Sequence, residues 1–185
     1  MNYNICEEVK KMNEILENIF SRRSVKKYND KEVSNDDLQT IVKAGLYAPS
    51  GRNMQSAIMV VVKNKELLDK LRRLNQTSVG NEYTFDPFYG AKAVIIVLAD
   101  KKCPTYVYDG SLVMENLMLA AESLGISSCW IHRAKEMFET QQGKEILKQL
   151  GVEGDYEGIG NCILGYRDIK PHPTERKENR VFYAL

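Results

Sequence analysis

The chain has almost no excess charge of either sign. Its 26 Lys and Arg residues against 25 Asp and Glu leave a formal net charge of +1. That excludes a broadly basic nucleic-acid binder, so no nucleic-acid partner is expected and any basic cluster must act locally. Long apolar runs are also missing. The longest strongly apolar run, Ala93 to Ala99, is too short to span a bilayer, and no membrane partner is expected. The opening residues, "MNYNICEEVKKMNEIL", lack the apolar stretch of a secretory signal, so the expected location is cytoplasmic. Cysteine is sparse: Cys6, Cys103, Cys129 and Cys162 are far apart and form no CxxC, which reads as reduced thiols. Only two histidines occur, His132 and His172, with no HxxxH and no Cys/His cluster, so no metal site is expected.

What is present is ordinary for a globular protein: 185 residues, 43% hydrophobic and 28% charged. That suits one domain over residues 1–185 with one core, ending in a C-terminal arm from about residue 168. The apolar spacing predicts a helix near residues 4–20. A second helix follows in "SNDDLQTIVKAGLYAPSG", with Ser34 as N-cap and Pro49 and Gly51 as its stop. "AIMVVVK" reads as a buried strand, and Asn64 as the cap of a short helix through Leu74. "LNQTSVGNEYTFDPFYG" has no clean period and reads as loop or short turns. "KAVIIVLAD" is a second buried strand. Asp109 is the expected start of a long, mostly apolar helix closed by Gly125, and a helix apolar on several faces needs more than one partner surface. "SSCWI", one or two helices over "KEMFETQQGKEILKQLG", and a strand "GIGNCILGYRD" complete a three-layer α/β or α+β domain. The last strand lacks the third glycine of GxGxxG, so its glycines read as places of close backbone approach.

One stretch stands out against the balanced charge. "SRRSVKKY", Ser21 to Tyr28, holds four basic residues in eight. The plain reading is a solvated helix end. The functional reading is a phosphate site, with charge and forked donors from Arg22, Arg23 and Lys26 and a hydroxyl from Ser24. In an extended chain Arg22, Ser24 and Lys26 share one face, while Arg23 and Lys27 point elsewhere. Arg176 and Lys177 in the tail can close over the same anion. "APSGRNMQ", Ala48 to Gln55, is a helix stop or a loop of amide groups facing a flat ligand. "GISSCWIHR" is a strand running into a polar loop, a usual place for ligand-contacting backbone, with Trp130 read as core.

Taken in order, "SRRSVKKY", "AGLYAPSGRNMQ", the Asp109 helix into "LGISSCWIHR", then "GYRDIKP" and a basic tail resemble the FMN-dependent nitroreductases, over about residues 19–177. The resemblance implies an α+β fold with a central, mainly antiparallel sheet flanked by helices, and a homodimer with FMN at its interface. It implies that Arg22, Arg23, Ser24 and Lys26 hold the FMN phosphate and ribityl chain. It implies that Pro49, Ser50, Gly51, Asn53 and Gln55 border the flavin from the other subunit. Backbone groups of Ile131, His132 and Arg133 would lie near the flavin edge, and Arg176 would close on the phosphate. The implied activity is oxidoreduction of a nitroaromatic, quinone or similar small-molecule acceptor by NADH or NADPH through FMN.

Three departures bear on that resemblance. Many members have two glycines where this chain has His132 and Arg133, and many continue the asparagine loop as Gln-Pro-Trp where this chain has "QSA". "YTFD" offers Asp86 where a related segment carries asparagine, and a carboxylate beside a reduced flavin is unfavourable, so Asp86 is left without a site role. The competing readings are a protein that stores or senses FMN without turnover, a phosphate-binding module without flavin, and a specialised enzyme of this fold such as a reductive dehalogenase.

Overall fold

A computed structural model describes residues 13–78 and 85–185. Helix α1 (Glu14–Ser21) is capped by Asn13, whose side chain accepts from the Leu16 N–H. The part of this helix expected before residue 13 lies outside the described residues, as does Cys6. Helix α2 (Asn35–Leu46) begins where expected: the Ser34 hydroxyl accepts from the Asp37 N–H at 3.0 Å. Strand β1 (Ala57–Val62) leads to helix α3 (Lys65–Thr77), capped by Asn64 and three residues longer than the sequence suggested. The extension carries Asn75 into a buried position, where its side chain finds partners that a reading of apolar spacing does not count.

Strand β2 (Ala93–Asp100) is buried at seven of its eight positions. Its side chains alternate between two cores, as strand period requires. Ile95 and Val97 meet one core, which includes Ile41 of α2, while Val94, Ile96 and Leu98 meet the other, which includes Leu71 of α3. Helix α4 (Tyr106–Ser123) adds Met114 and Leu117 to the first core. It starts three residues before Asp109, because a turn over Cys103–Tyr106 already sets the first helical hydrogen bonds. Its end is as read: Gly125 has φ +71°, and the Ile126 N–H returns to the Ala121 carbonyl in a left-handed cap.

Strand β3 (Ser127–Ile131), helices α5 (Ala134–Glu139) and α6 (Gln141–Gln149) and strand β4 (Tyr156–Gly165) finish the domain. The sheet order is β1-β2-β4-β3, and every neighbouring pair is antiparallel. The register shifts between Val97 and Leu98, where Ile159 of β4 is left without a direct partner as a bulge. The β4 glycines do admit close approach. A methyl group at Gly160 would stand 2.6 Å from the Trp130 indole nitrogen, and one at Gly158 would strike the Ala134 carbonyl. Helices α2 and α4 cover one face and α3, α5 and α6 the other, which is the expected three-layer α+β arrangement. Among the described residues no helix is long and apolar enough to cross a membrane.

After β4 the chain turns onto α4 through one carboxylate. Glu122, whose side chain is only 6% exposed, accepts from Lys170 at 2.6 Å and Arg167 at 3.1 Å, and also from the Ser21 hydroxyl. Burial pushes its pKa up, but the hydrogen bonds from Lys170 and Arg167 outweigh that and hold it below the ordinary carboxylate range. Residues 171–185 are exposed throughout. Replacing Glu122 by Ala is predicted to cost on the order of 2–3 kcal/mol, because it strands Arg167 beside Ser127. The folded carboxyl protonates at lower pH than the unfolded one. Its stabilisation is therefore complete above the unfolded value and is lost as pH falls through the folded one. Thermal melts taken from about pH 6 to about pH 3 should fall more steeply for the natural chain than for Glu122→Gln.

Candidate functional site

The basic stretch divides between structural and free roles. The Arg23 guanidinium folds back and donates from Nη1 to the Phe20 carbonyl at 2.6 Å and the Arg22 carbonyl at 2.8 Å, satisfying the end of α1. The plain reading, a helix end, holds for that residue. Beyond it the chain is extended. Ser24 forms a parallel bridge with Ser128, the Val25 N–H donates to the Ser128 carbonyl at 3.0 Å, and Val25 is buried. With Val25 inward, Ser24 and Lys26 face out. Arg22 belongs with them. Burial pushes the Cys129 thiol up, and the opposing influences on that sulfur are a hydrogen bond with Ser24 and the charges of Lys26 and Arg22. The charges of Arg22 and Lys26 thus reach the sulfur that Ser24 meets.

This cluster carries unspent donors. Among the described residues Arg22 Nη1 and Arg23 Nε are buried without a hydrogen-bond partner, and Arg22 Nε lies 3.9 Å from Glu115. Buried guanidinium nitrogens without acceptors are costly, and an anion is the natural complement.

Beside the cluster a cleft of about 220 Å³ opens at the end of β3. Trp130, Ile131, His132 and Arg133 line it together with Lys26, while Asn75 and Gln76 of α3 and the Phe85–Tyr89 turn close the far side. Trp130, read as core, does pack on the core, but it also borders this cleft. Lys26 Nζ lies 5.7 Å from the centre of the Tyr89 ring. Asp86 turns away: it accepts from the Phe88 and Gly90 N–H groups at 2.8 and 2.7 Å and lies 3.5 Å from Arg72, so it builds the turn. Tyr83 and Thr84 of the "YTFD" segment lie outside the described residues.

The β3 exit holds two residues that the sequence reading missed. Asn75, 2% exposed, donates to the His132 carbonyl at 2.8 Å. Asn161, fully buried on β4, donates to the carbonyls of Ile131 at 3.3 Å and His132 at 3.4 Å. Arg133 then adopts φ +75°, a conformation that glycine takes without strain. The signal was available in both cases: each asparagine interrupts an otherwise apolar pattern, "LLDKLRRLN" and "GIGNCILG".

The second predicted group stands at the opposite edge of the sheet. Gly51, Arg52 and Asn53 form a short 3-10 turn just before β1. Arg52, Asn53 and Gln55 all have positive φ, +53°, +54° and +49°. Such strained backbone persists only where its surroundings over-determine it. Asp109 supplies much of that constraint. Nearly buried, it accepts from the Gly51 N–H at 3.0 Å and from the hydroxyls of Ser56 at 2.7 Å and Thr105 at 3.1 Å. Burial pushes its pKa up, yet those three donors outweigh it and hold it below the usual value. Ser50 Oγ closes the loop by accepting from the Gln55 N–H at 3.0 Å. Pro49, Asn53 and Gln55 are exposed.

One chain therefore brings Arg22, Ser24 and Lys26 together with Ile131, His132 and Arg133, and keeps Pro49, Ser50, Gly51, Asn53 and Gln55 apart from them. Arg176 joins neither group; it lies in the exposed tail and makes no hydrogen bond or ion pair among the described residues. Asp109→Ala is expected to leave three donors without an acceptor and cost about 2–4 kcal/mol. Tryptic cleavage after Arg52 should accelerate with it, measured on folded protein.

Comparison with known proteins gives a consistent picture. A family model described as "Nitroreductase family" matches residues 19–166. A protein of Archaeoglobus fulgidus, named "Putative NADH dehydrogenase/NAD(P)H nitroreductase", is 37% identical over 84% of this chain and 86% of its own length. Among solved structures, a nitroreductase with bound FMN from Bacteroides fragilis superposes with a TM-score of 0.87 at 30% identity, covering 94% of this chain and all of that one. Another nitroreductase with bound FMN, from Desulfitobacterium hafniense, gives 0.85 at 28% identity with the same coverage. With the fold, the order of motifs and the family match in agreement, the chain belongs to the nitroreductase family.

Proposed function

We propose that the protein is a cytoplasmic, homodimeric FMN-dependent oxidoreductase that uses NADH or NADPH to reduce nitroaromatic, quinone or similar acceptors. The observation that carries this reading is the unpaired, buried Arg22 Nη1 set beside Ser24 and Lys26 at the mouth of an aromatic-lined cleft. A flavin mononucleotide fits that donor set: a doubly charged phosphate complements the cations, and a flat ring system complements Trp130 and Tyr89. The relatives described above support it, since two are solved with FMN and one carries an NAD(P)H nitroreductase name. The bound cofactor would pass hydride from nicotinamide to acceptor through its N5, in ping-pong order.

The residues of this chain bind and orient. Arg22, Ser24 and Lys26 anchor the phosphate side, with Arg23 contributing its free Nε. The backbone of Ile131, His132 and Arg133 meets the ring edge. The cationic and amide groups there favour negative charge on the ring. No side chain is required as a nucleophile. The Pro49–Gln55 loop and Arg176 come to this site from, or across, a second copy. Exposed apolar side chains give that copy a surface: Ile15 and Phe20 of α1, Tyr47 after α2 and Tyr108 of α4 are 57–78% exposed. Val181, Phe182 and Leu185 of the tail are exposed as well and supply a second contact.

Four measurements test the reading. Arg22→Ala or Lys26→Ala should each weaken FMN binding about ten- to a hundredfold, the loss of one charge-assisted hydrogen bond of roughly 1.5–3 kcal/mol. Riboflavin, which lacks the phosphate, should bind poorly to the natural chain; equal binding of riboflavin and FMN would contradict the clamp. The purified protein with FMN should bleach with NADH or NADPH under anaerobic conditions and recover its colour on adding a nitroaromatic or quinone. Colour without bleaching would instead mean storage or sensing. Light scattering of the loaded protein should give the mass of two chains, and the mass of one would contradict the dimer.

A further inference from the structure

Arg52 is the charged residue of the Pro49–Gln55 loop, and nothing above gives it a task. Ser50 closes the loop, and Asn53 and Gln55 belong to the cofactor border of the dimer proposed above. Arg52 stands among them, exposed, with φ +53°. Among the described residues its guanidinium makes no hydrogen bond or ion pair. No acidic residue occurs from Tyr47 to Ile58, so no carboxylate of the loop offsets the charge. Glycine takes this backbone conformation without strain. The arginine side chain thus gives its own loop no contact and adds a conformational cost.

The backbone that carries this charge is firmly held. The Asp109 carboxylate accepts from the Gly51 N–H at 3.0 Å, which ties the residue before Arg52 to the first turn of α4. The Asn53 N–H donates to the Ser50 carbonyl at 3.0 Å. Tyr47, just before the loop, and Tyr108, next to Asp109, are 78% and 72% exposed. Arg52 is therefore carried at the border of the apolar surface that the reading above gives to a second copy.

The cofactor has no need of this cation, because its phosphate is met by Arg22, Ser24 and Lys26. Quinone acceptors and simple nitroaromatics carry no charge. The electron donor does: NADH and NADPH both contain a pyrophosphate, and no group assigned above complements it. Arginine is the side chain best suited to a phosphate oxygen, through its forked donors and permanent charge.

We propose that Arg52 is a donor-binding residue: carried by one chain beside the cofactor site of the other, its guanidinium takes the pyrophosphate of NADH or NADPH. It therefore acts in the reductive half-reaction and not on uncharged acceptors. This rests on the FMN and dimer reading above.

The test uses FMN-loaded natural protein, Arg52→Gly, which suits the left-handed backbone, and Arg52→Lys, which keeps the charge. Flavin bleaching is followed anaerobically with NADH and with N-benzyl dihydronicotinamide, a donor with the same hydride-bearing ring and no phosphate. Recovery of colour is followed with an uncharged quinone. Arg52→Gly should weaken the apparent affinity for NADH about tenfold, the loss of one charge-assisted contact, and Arg52→Lys should recover part of it. Added salt should weaken NADH binding more steeply in the natural chain than in Arg52→Gly. The benzyl donor, the quinone step and FMN affinity should each stay within about twofold of the natural values. NADH affinity unchanged in Arg52→Gly would overturn the proposal. An equal loss with the benzyl donor would overturn it too, because the loop's shape and not a phosphate contact would then be responsible. A natural chain that takes up no FMN would overturn the cofactor reading and this proposal with it, a result distinct from the others.

Discussion

Three strand spacings, about 14 Å, separate β1 from β3 across this sheet, and no side chain spans that width. The loop that enters β1 carries Pro49 to Gln55, and the edge of β3 carries Ser24 on its flank and His132 and Arg133 at its end. The two groups of residues therefore stand apart within one chain. Ile15 and Phe20 of α1 and Tyr108 of α4 are exposed, and Arg22 Nη1 is buried without a hydrogen-bond partner among the described residues.

On either side of that gap, each half of the site is held by buried polar groups that give local shape. Asp109 organises the strained turn at Arg52 and Asn53, and the two asparagines organise the turn at Arg133. In both places a non-glycine residue holds a left-handed conformation, and in both the hold comes from a distant element: α4 for the first turn, α3 and β4 for the second. The asparagines and Asp109 thus make the conformations at the two edges properties of the whole fold, not of the loops alone. The third buried polar hub, Glu122, does the same for the route of the tail.

Much of this was legible in the sequence. Ser34 and Asn64 cap the helices that their spacing announced, Gly125 ends α4, and the alternation read in "RSVK" agrees with Ser24 and Lys26 being exposed on either side of a buried Val25. Local chemistry decides such features, so local sequence reports them. The rest depended on tertiary partners. Nothing near Asp109 in the sequence shows that it accepts from Gly51, more than fifty residues earlier, and its expected role as a helix start gave way to that contact. Arg23 reads like its neighbours, yet geometry spends its Nη1 on the end of α1. Asn75 and Asn161 were visible as polar breaks in apolar patterns, but their shared target, the His132 carbonyl, exists only once α3, β3 and β4 are assembled.

The central claim is that the cation cluster of one chain and the Pro49–Gln55 loop of another form a single site. Mixing two damaged forms tests it most directly. Arg22→Ala removes the first half and Asn53→Ala the second, and each homodimer should bind FMN weakly. Re-associated mixed dimers, isolated by separate affinity tags, should contain one site with both halves natural and one with both altered. The account predicts one FMN per mixed dimer, bound as tightly as by the natural protein. If mixed dimers bind no better than either parent, both halves lie within one chain and the account is wrong.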